Sequence, residues 1–131
     1  MKLYLVRHAE AVSGAPEDES RRLTEEGREQ ARELARRLAG EGVRPAAILS
    51  SPLVRARETA EILGRELGVD PAVEDRLRPG ATAGRVREAV EGRGEVVIAV
   101  GHQPDCGEIA AELTGSQPDR IPAASAIEIR L

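Results

Sequence analysis

The sequence holds one cysteine, one tyrosine, two histidines and no tryptophan or phenylalanine. A single Cys excludes an internal disulfide framework and leaves no CxxC pair or Cys/His cluster with zinc-ligand spacing, so neither metal nor any other cofactor is expected. With 1% aromatic residues, the core must be assembled from Ala, Val, Leu and Ile. No apolar run approaches the roughly 18 residues of a membrane span, and Leu3 to Val6 is too short for the apolar segment of a signal peptide. An excess of positive charge is missing too. Nineteen basic side chains against 23 acidic ones leave a net charge of -4, which disfavours attraction of the whole protein to nucleic acid or to an anionic membrane. The expectation is a cytoplasmic protein with neither nucleic acid nor membrane as partner. Any anion it binds must be held locally.

What is present suits a folded enzyme-sized unit. A chain of 131 residues closes one core, so residues 1–131 are expected to form a single domain, and 40% hydrophobic content is ample for it. Nearly all the positive charge is Arg, the side chain suited to two-point grips on phosphate or carboxylate.

Apolar runs alternate with helical patterns. Leu3-Tyr4-Leu5-Val6 reads as a buried first strand, with Tyr4 in the core, and it ends in Arg7-His8. Residues 10–22, with Gly14, Pro16 and Glu17-Asp18-Glu19-Ser20, read as a solvated loop. Thr24 can cap a helix through Ala31, Leu34, Ala35 and Leu38 that stops at Gly40, with Arg28, Arg32, Arg36 and Arg37 off its apolar face. Ala46 to Ser50 is a second buried strand. Ser51-Pro52 then reads as the N-cap and first turn of a helix bearing Ala56, Ala60, Leu63 and Leu67, which puts Arg55 in or beside its first turn. A minor strand near Val73 and a weak helix over 85–90 precede Val96 to Val100, the clearest buried strand. That strand runs into Gly101-His102-Gln103-Pro104 and a helix through Ile109 and Leu113, and Ala126 to Leu131 alternates like a half-exposed final strand. This order predicts an α/β sandwich with a mostly parallel sheet, in which ligands bind beyond the carboxyl ends of the strands.

Three strand ends carry unusual polar residues: Arg7-His8, Ser50-Ser51 leading to Arg55, and Gly101-His102. Either histidine alone is equally well a satisfied strand-end residue. Together with two arginines at equivalent positions they form a constellation, because a guanidinium directly after a buried strand is costly unless it meets an anion. Two arginines, two imidazoles and a helix N-terminus converging on one point suit a dianion such as phosphate. A neutral imidazole held there can accept a phosphoryl group and later lose it to water.

Leu5-Val6-Arg7-His8-Ala9-Glu10, Arg21-Arg22-Leu23-Thr24-Glu25-Glu26-Gly27, Ser50-Ser51-Pro52-Leu53-Val54-Arg55-Ala56-Arg57-Glu58-Thr59-Ala60 and Val100-Gly101-His102-Gln103-Pro104 together resemble, in order and spacing, the histidine phosphatase superfamily. In length and layout the chain looks most like the bacterial SixA-type phosphohistidine phosphatases. The resemblance implies a single-domain three-layer α/β/α sandwich of the phosphoglycerate mutase-like fold. It implies His8 as the nucleophile, Arg7 and Arg55 as the phosphoryl clamp, His102 as a further hydrogen-bond donor and Arg21 as a substrate-binding residue closing the pocket from its loop, with Arg22 the competing candidate. Ala9 stands where many members have Gly, which requires a backbone that tolerates a Cβ. The implied activity is metal-independent phosphatase chemistry on a phosphorylated partner protein, probed against two alternatives: a small phosphorylated substrate, or phosphoanion binding without turnover.

Larger members insert a lid carrying a general acid between the second and third pocket strands, and this chain has little room for one. Glu74, Asp75 and Glu10 are the carboxyls that could reach the rim. Without an acid, phosphohistidine is favoured over alkyl esters, because a phosphorylated imidazole takes a proton from solvent on its other nitrogen and departs neutral. Cys106, early in the last major helix, is expected to be packed rather than reactive.

Overall fold

The computed structural model describes residues 1–14, 17–116 and 121–131; Pro16, expected in the polar loop, lies outside the described residues. Among these, five strands and four helices are ordered β1 (Lys2–Arg7), α1 (Glu25–Gly40), β2 (Ala47–Ser50), α2 (Val54–Leu67), β3 (Ala72–Val73), α3 (Ala83–Val90), β4 (Val96–Gly101), α4 (Asp105–Thr114) and β5 (Ala126–Arg130). The sheet order is β3-β2-β4-β1-β5. β3, β2, β4 and β1 run parallel, and β5 joins β1 antiparallel.

Strand alternation divides the core into two layers. Leu3, Leu5, Leu49, Val97, Ala99 and Ile129 face one side, against Val86 and Val90 of α3 and Ile109 of α4. Tyr4, Val6, Ile48, Ile98 and Val100 face the other, against Leu34 and Leu38 of α1 and Ala60 and Leu63 of α2. The result is the expected three-layer α/β/α sandwich. Both faces of the central strands are buried, which is why those strands read as continuous apolar runs. No helix among the described residues is long and apolar enough to cross a membrane.

Register decides where chemistry can happen. Arg7 pairs with Gly101 and Ser50 with Val100, so β1, β2 and β4 end at the same edge. The ladder continues one step past each end, with the His8 amide donating to the Gly101 carbonyl at 3.1 Å and the Ser51 amide to the Val100 carbonyl at 3.1 Å.

Three local expectations shift by a few residues. α1 is capped by Thr24, whose side-chain oxygen accepts from the Gly27 amide at 2.9 Å, but it runs through Gly40 and turns at Gly42, where φ is +80°. A Cβ on Gly27 would run into the Glu10 carbonyl oxygen, so glycine lets α1 press against the chain leaving His8. The N-cap of α2 is Leu53 rather than Ser51, so Pro52 precedes the helix, and Arg55 keeps its place in the first turn. The segment 17–20, read as solvated loop, contains a short 3-10 turn at Asp18–Ser20 that lies against α2.

Candidate active site

His8 is the first residue beyond β1, and its position is held from three directions. Its amide is tied to β4, and the Ala124 amide donates to the Arg7 and His8 carbonyls at 3.1 and 3.2 Å. The next amide, that of Ala9, donates to Thr59 Oγ1 at 3.0 Å, and the buried Thr59 hydroxyl donates in turn to the Arg55 carbonyl at 2.8 Å. Ala9 is fully buried with Leu23 and Ala31, and its φ is not positive, so the Cβ found there is accommodated.

The His8 ring lies with Nδ1 2.7 Å from the Ala9 carbonyl oxygen. A carbonyl only accepts, so the neutral ring carries its proton on Nδ1 and leaves the Nε2 lone pair for other use. His102, first beyond β4 and 4% exposed, lies beside it: the ring centroids are 5.3 Å apart and the planes tilted by 58°. His102 Nε2 is 2.7 Å from Ser51 Oγ, while its Nδ1 is buried with no hydrogen-bond partner among the described residues.

Burial pushes His8 down to about 4. The Ala9 carbonyl, which favours the protonated ring, opposes this, and the charges of Arg55, Arg7 and Arg21 reinforce it. Burial, then His8 and Arg55, push His102 down to about 3. Both imidazoles are therefore neutral at pH 7.

The sheet and α2 also gather the guanidinium groups. Arg55, 6% exposed, donates through Nη1 to the Asp18 carbonyl at 2.9 Å and through Nη2 to Asp18 Oδ2 at 3.2 Å. Arg7 is half-buried and donates through Nη1 to the Ile121 carbonyl at 2.8 Å. Arg21 donates through Nε to the Val12 carbonyl at 2.7 Å and through Nη1 to Asp18 Oδ1 at 3.0 Å. Arg21 shares the Asp18 carboxylate with Arg55, whereas Arg22 is exposed, so Arg21 is the member of the pair drawn toward the site.

Asp18 and Ser51 have contacts that composition and periodicity did not disclose. The Asp18 carboxylate bridges Arg55 and Arg21, and the hydrogen bond from Arg21, with help from Arg55, holds its carboxyl below the usual range. The only local cue is the i, i+3 spacing of Asp18 and Arg21. Ser51-Pro52 carries the local pattern of a helix cap, although a Ser directly after a buried strand is equally placed to meet the end of the neighbouring strand.

The three carboxyls considered as proton donors are otherwise occupied. Glu74 is buried and gripped at both oxygens by Arg76, at 3.0 and 2.8 Å, with Arg93 at 3.8 Å. Those hydrogen bonds hold its carboxyl below the usual range, so it has no proton to give near neutral pH. Asp75 is exposed and 3.4 Å from Arg78 Nε, and Glu10 accepts from Thr24 Oγ1 at 2.9 Å beside the α1 N-terminus. Between β2 and β4 the chain is taken up by α2, β3, a 3-10 turn at Asp75–Leu77 and α3. Cys106 is packed as expected, and burial pushes its thiol up to about 12. No group of three or more His, Cys, Asp or Glu suited to a metal ion occurs among the described residues.

Two neutral imidazoles and a set of guanidinium groups lie at the carboxyl edge of an α/β/α sandwich, an arrangement chemically suited to a phosphoryl group. The profile of the histidine phosphatase superfamily (branch 1) matches residues 3–112, and the chain belongs to that superfamily as a phosphatase of the hydrolase class. Within it the chain is SixA-like. It is 31% identical over 133 residues to the phosphohistidine phosphatase SixA of Escherichia coli, covering 97% of this chain and 83% of that protein. The structure of the protein histidine phosphatase SixA complexed with tungstate superposes with a TM-score of 0.91 at 28% identity, covering 100% of this chain and 88% of that one. An uncharacterized protein of Picosynechococcus sp. is 41% identical over 125 residues, covering 89% and 75%. The fold is the phosphoglycerate mutase-like one.

Proposed function

We propose that residues 1–131 act as one cytoplasmic, metal-independent histidine phosphatase domain that removes phosphate from phosphohistidine on a partner protein, through a phosphohistidine intermediate on His8. The observation that carries this reading is the side-by-side placement of the two imidazoles, with centroids 5.3 Å apart, between strand ends that also bear Arg7 and lead to Arg55. His8 is the nucleophile, Arg7 and Arg55 clamp the phosphoryl oxygens, His102 donates to one of them and Arg21 closes the pocket from its loop. Guanidinium charge does the work of neutralising the equatorial oxygens.

In the first step the His8 Nε2 lone pair forms a bond to phosphorus while the bond from phosphorus to the substrate imidazole breaks. The substrate ring, protonated from solvent on its other nitrogen, leaves as neutral imidazole. In the second step water attacks phosphorus, the bond to Nε2 breaks with its electrons returning to His8, and the water proton goes to solvent as inorganic phosphate departs. The engagement of Glu74 with Arg76 and Arg93 supports a leaving group that needs no acid from the protein. The similarity to SixA, whose structure was solved with the tetrahedral oxyanion tungstate, supports both the anion and the substrate class.

A substrate panel tests the reading. The purified chain, in excess chelator, is given a histidine-phosphorylated protein, an aryl phosphate and an alkyl phosphate. The phosphohistidine protein is expected to turn over fastest and the alkyl ester slowest, and an alkaline denaturing quench is expected to trap one phosphoryl adduct on His8. Preference for the alkyl ester would move the protein to small-molecule phosphomonoesters, and absence of both adduct and turnover would leave a phosphoanion-binding module.

A further inference from the structure

The His102 side chain has two nitrogens in unlike surroundings, and this difference is the most informative feature outside the nucleophile itself. Nε2 meets Ser51 Oγ at 2.7 Å, and Nδ1 is buried without a partner among the described residues. A neutral imidazole has one N–H and one lone pair, so which nitrogen holds the proton decides whether His102 offers a donor or an acceptor at Nδ1.

The hydroxyl of Ser51 settles the matter by its own requirements. Ser51 is fully buried. Its oxygen already accepts from the Leu53 amide at 3.3 Å. Among the described residues its hydrogen meets one acceptor, His102 Nε2, since the neighbouring Ser50 hydroxyl turns away to donate to the Ser51 carbonyl at 2.8 Å. Were Nε2 protonated, it would donate to Oγ, and the hydroxyl hydrogen would be buried with nothing to meet. The Nδ1 lone pair would also be left buried beside any oxyanion in the site. Each such unmet buried group forfeits its hydrogen bonds to water with nothing in return, so this arrangement is the costlier one. With the hydroxyl donating instead, Oγ accepts from Leu53 and donates to His102, and Nδ1 becomes an N–H ready for an anion.

We propose that Ser51 is a positioning residue: its hydroxyl donates to His102 Nε2 and thereby holds the neutral imidazole with its proton on Nδ1, where it can donate to a phosphoryl oxygen. The inference rests on the phosphatase reading of the site. It adds a residue that touches neither substrate nor nucleophile and acts only through His102.

Because the chain has two histidines, long-range proton–nitrogen correlation spectra of protein labelled with nitrogen-15 histidine report both tautomers directly. At pH 7 the wild type is expected to show Nδ1–H and unprotonated Nε2 on both rings. In Ser51→Ala, His102 is expected to shift toward the Nε2–H form while His8 keeps its pattern, and kcat for an aryl phosphate should fall by about 10- to 100-fold. The wild-type spectrum needs no variant to fold: an Nε2–H tautomer on His102 there overturns the proposal. An unchanged His102 tautomer or unchanged kcat in folded Ser51→Ala overturns it as well. The phosphatase reading fails by a different sign, an inactive wild type with no phosphoryl adduct, so the two failures are separable.

Discussion

The two imidazoles stand 5.3 Å apart between centroids and are held by unlike partners. His8 leans on the carbonyl of the very next residue, a group that can only accept, so its proton is placed by the local chain. His102 leans on a hydroxyl 51 residues away, a group that can donate or accept, so its proton is placed by what else that hydroxyl must satisfy. On the proposed assignment both rings carry the proton on Nδ1 and present opposite nitrogens to the substrate: His8 its Nε2 lone pair, His102 its Nδ1–H. One tautomer thus serves two chemical roles, because the two rings are anchored at different nitrogens.

Removing each ring in turn is the most severe way to break that comparison. His8→Ala is expected to lower turnover by about 10⁴-fold or more and to abolish the phosphoryl adduct, because it removes the proposed nucleophilic atom. His102→Ala is expected to cost about 10²- to 10³-fold while still permitting the adduct, because it removes a donor to the transferring group. Equal adduct loss in both, read by mass measurement after an alkaline denaturing quench, would mean that the two histidines do not divide the work.

On the proposed mechanism the arginines act on the same phosphoryl group as both rings, which sharpens the comparison. Arg55→Ala should lower kcat/KM by about 10²-fold or more. Asp18 gives an opposite, smaller effect. Its carboxylate engages the guanidinium groups proposed to receive an incoming dianion, so Asp18→Asn is expected to tighten tungstate binding about 2- to 5-fold in calorimetric titration, the range set by exposed ion pairs. Weaker binding in that variant would make Asp18 a support for the arginines rather than a competitor.

Acid separates the two rings from ordinary histidine. With His8 pushed down to about 4 and His102 to about 3, kcat/KM corrected for substrate ionisation should stay level from pH 7 to 5 and decline near pH 4, as the nucleophilic lone pair is lost. A decline centred near 6.5 would mean that burial and the arginines do not govern His8. The sign for stability follows from the same shifts. Between about pH 6.5 and 4 the unfolded chain binds more protons than the folded one, so the fold is less stable at pH 4.5 than at pH 7. Thermal melts of wild type and His8→Gln should show the variant to be less sensitive over that window.

The smallest expected effect lies in the backbone behind His8. Ala124 has φ 53°, a left-handed conformation that costs a residue with a Cβ about 1–2 kcal/mol, while its amide holds the Arg7 and His8 carbonyls. Ala124→Gly should raise stability by about 0.5 kcal/mol after the entropy of glycine is counted, measured by denaturant titration. A loss of stability there would show that the methyl group is needed more than the conformation is strained.

Much of the architecture was legible because it depends on neighbours a few positions away. The apolar run Leu3 to Val6 and the β-branched run near Val96 announce buried parallel strands, and Thr24 announces the start of α1. His8, His102 and Arg55 stood out for the same reason, as polar residues where apolar runs stop. Finer placement shifted where two local signals competed. Ser51-Pro52 looks like a helix start, yet Ser51 is drawn to His102 and α2 begins at Val54. The stretch 17–20 looks solvated by composition, yet its first turn is pulled onto Arg55 from 37 residues away.

By itself, then, the sequence determined the alternation of strands and helices and the identity of the side chains at strand ends, since both follow from periodicity, propensity and capping along a few turns of chain. Only the tertiary structure decided that β4 lies between β1 and β2, with β5 antiparallel at the edge. That order sets His8 beside His102, Ser51 under His102 and Asp18 across Arg55 and Arg21. The physical reason is that a hydrogen-bond partner for a buried group is chosen by what the packed sheet brings within about 3 Å, a distance unrelated to separation along the chain.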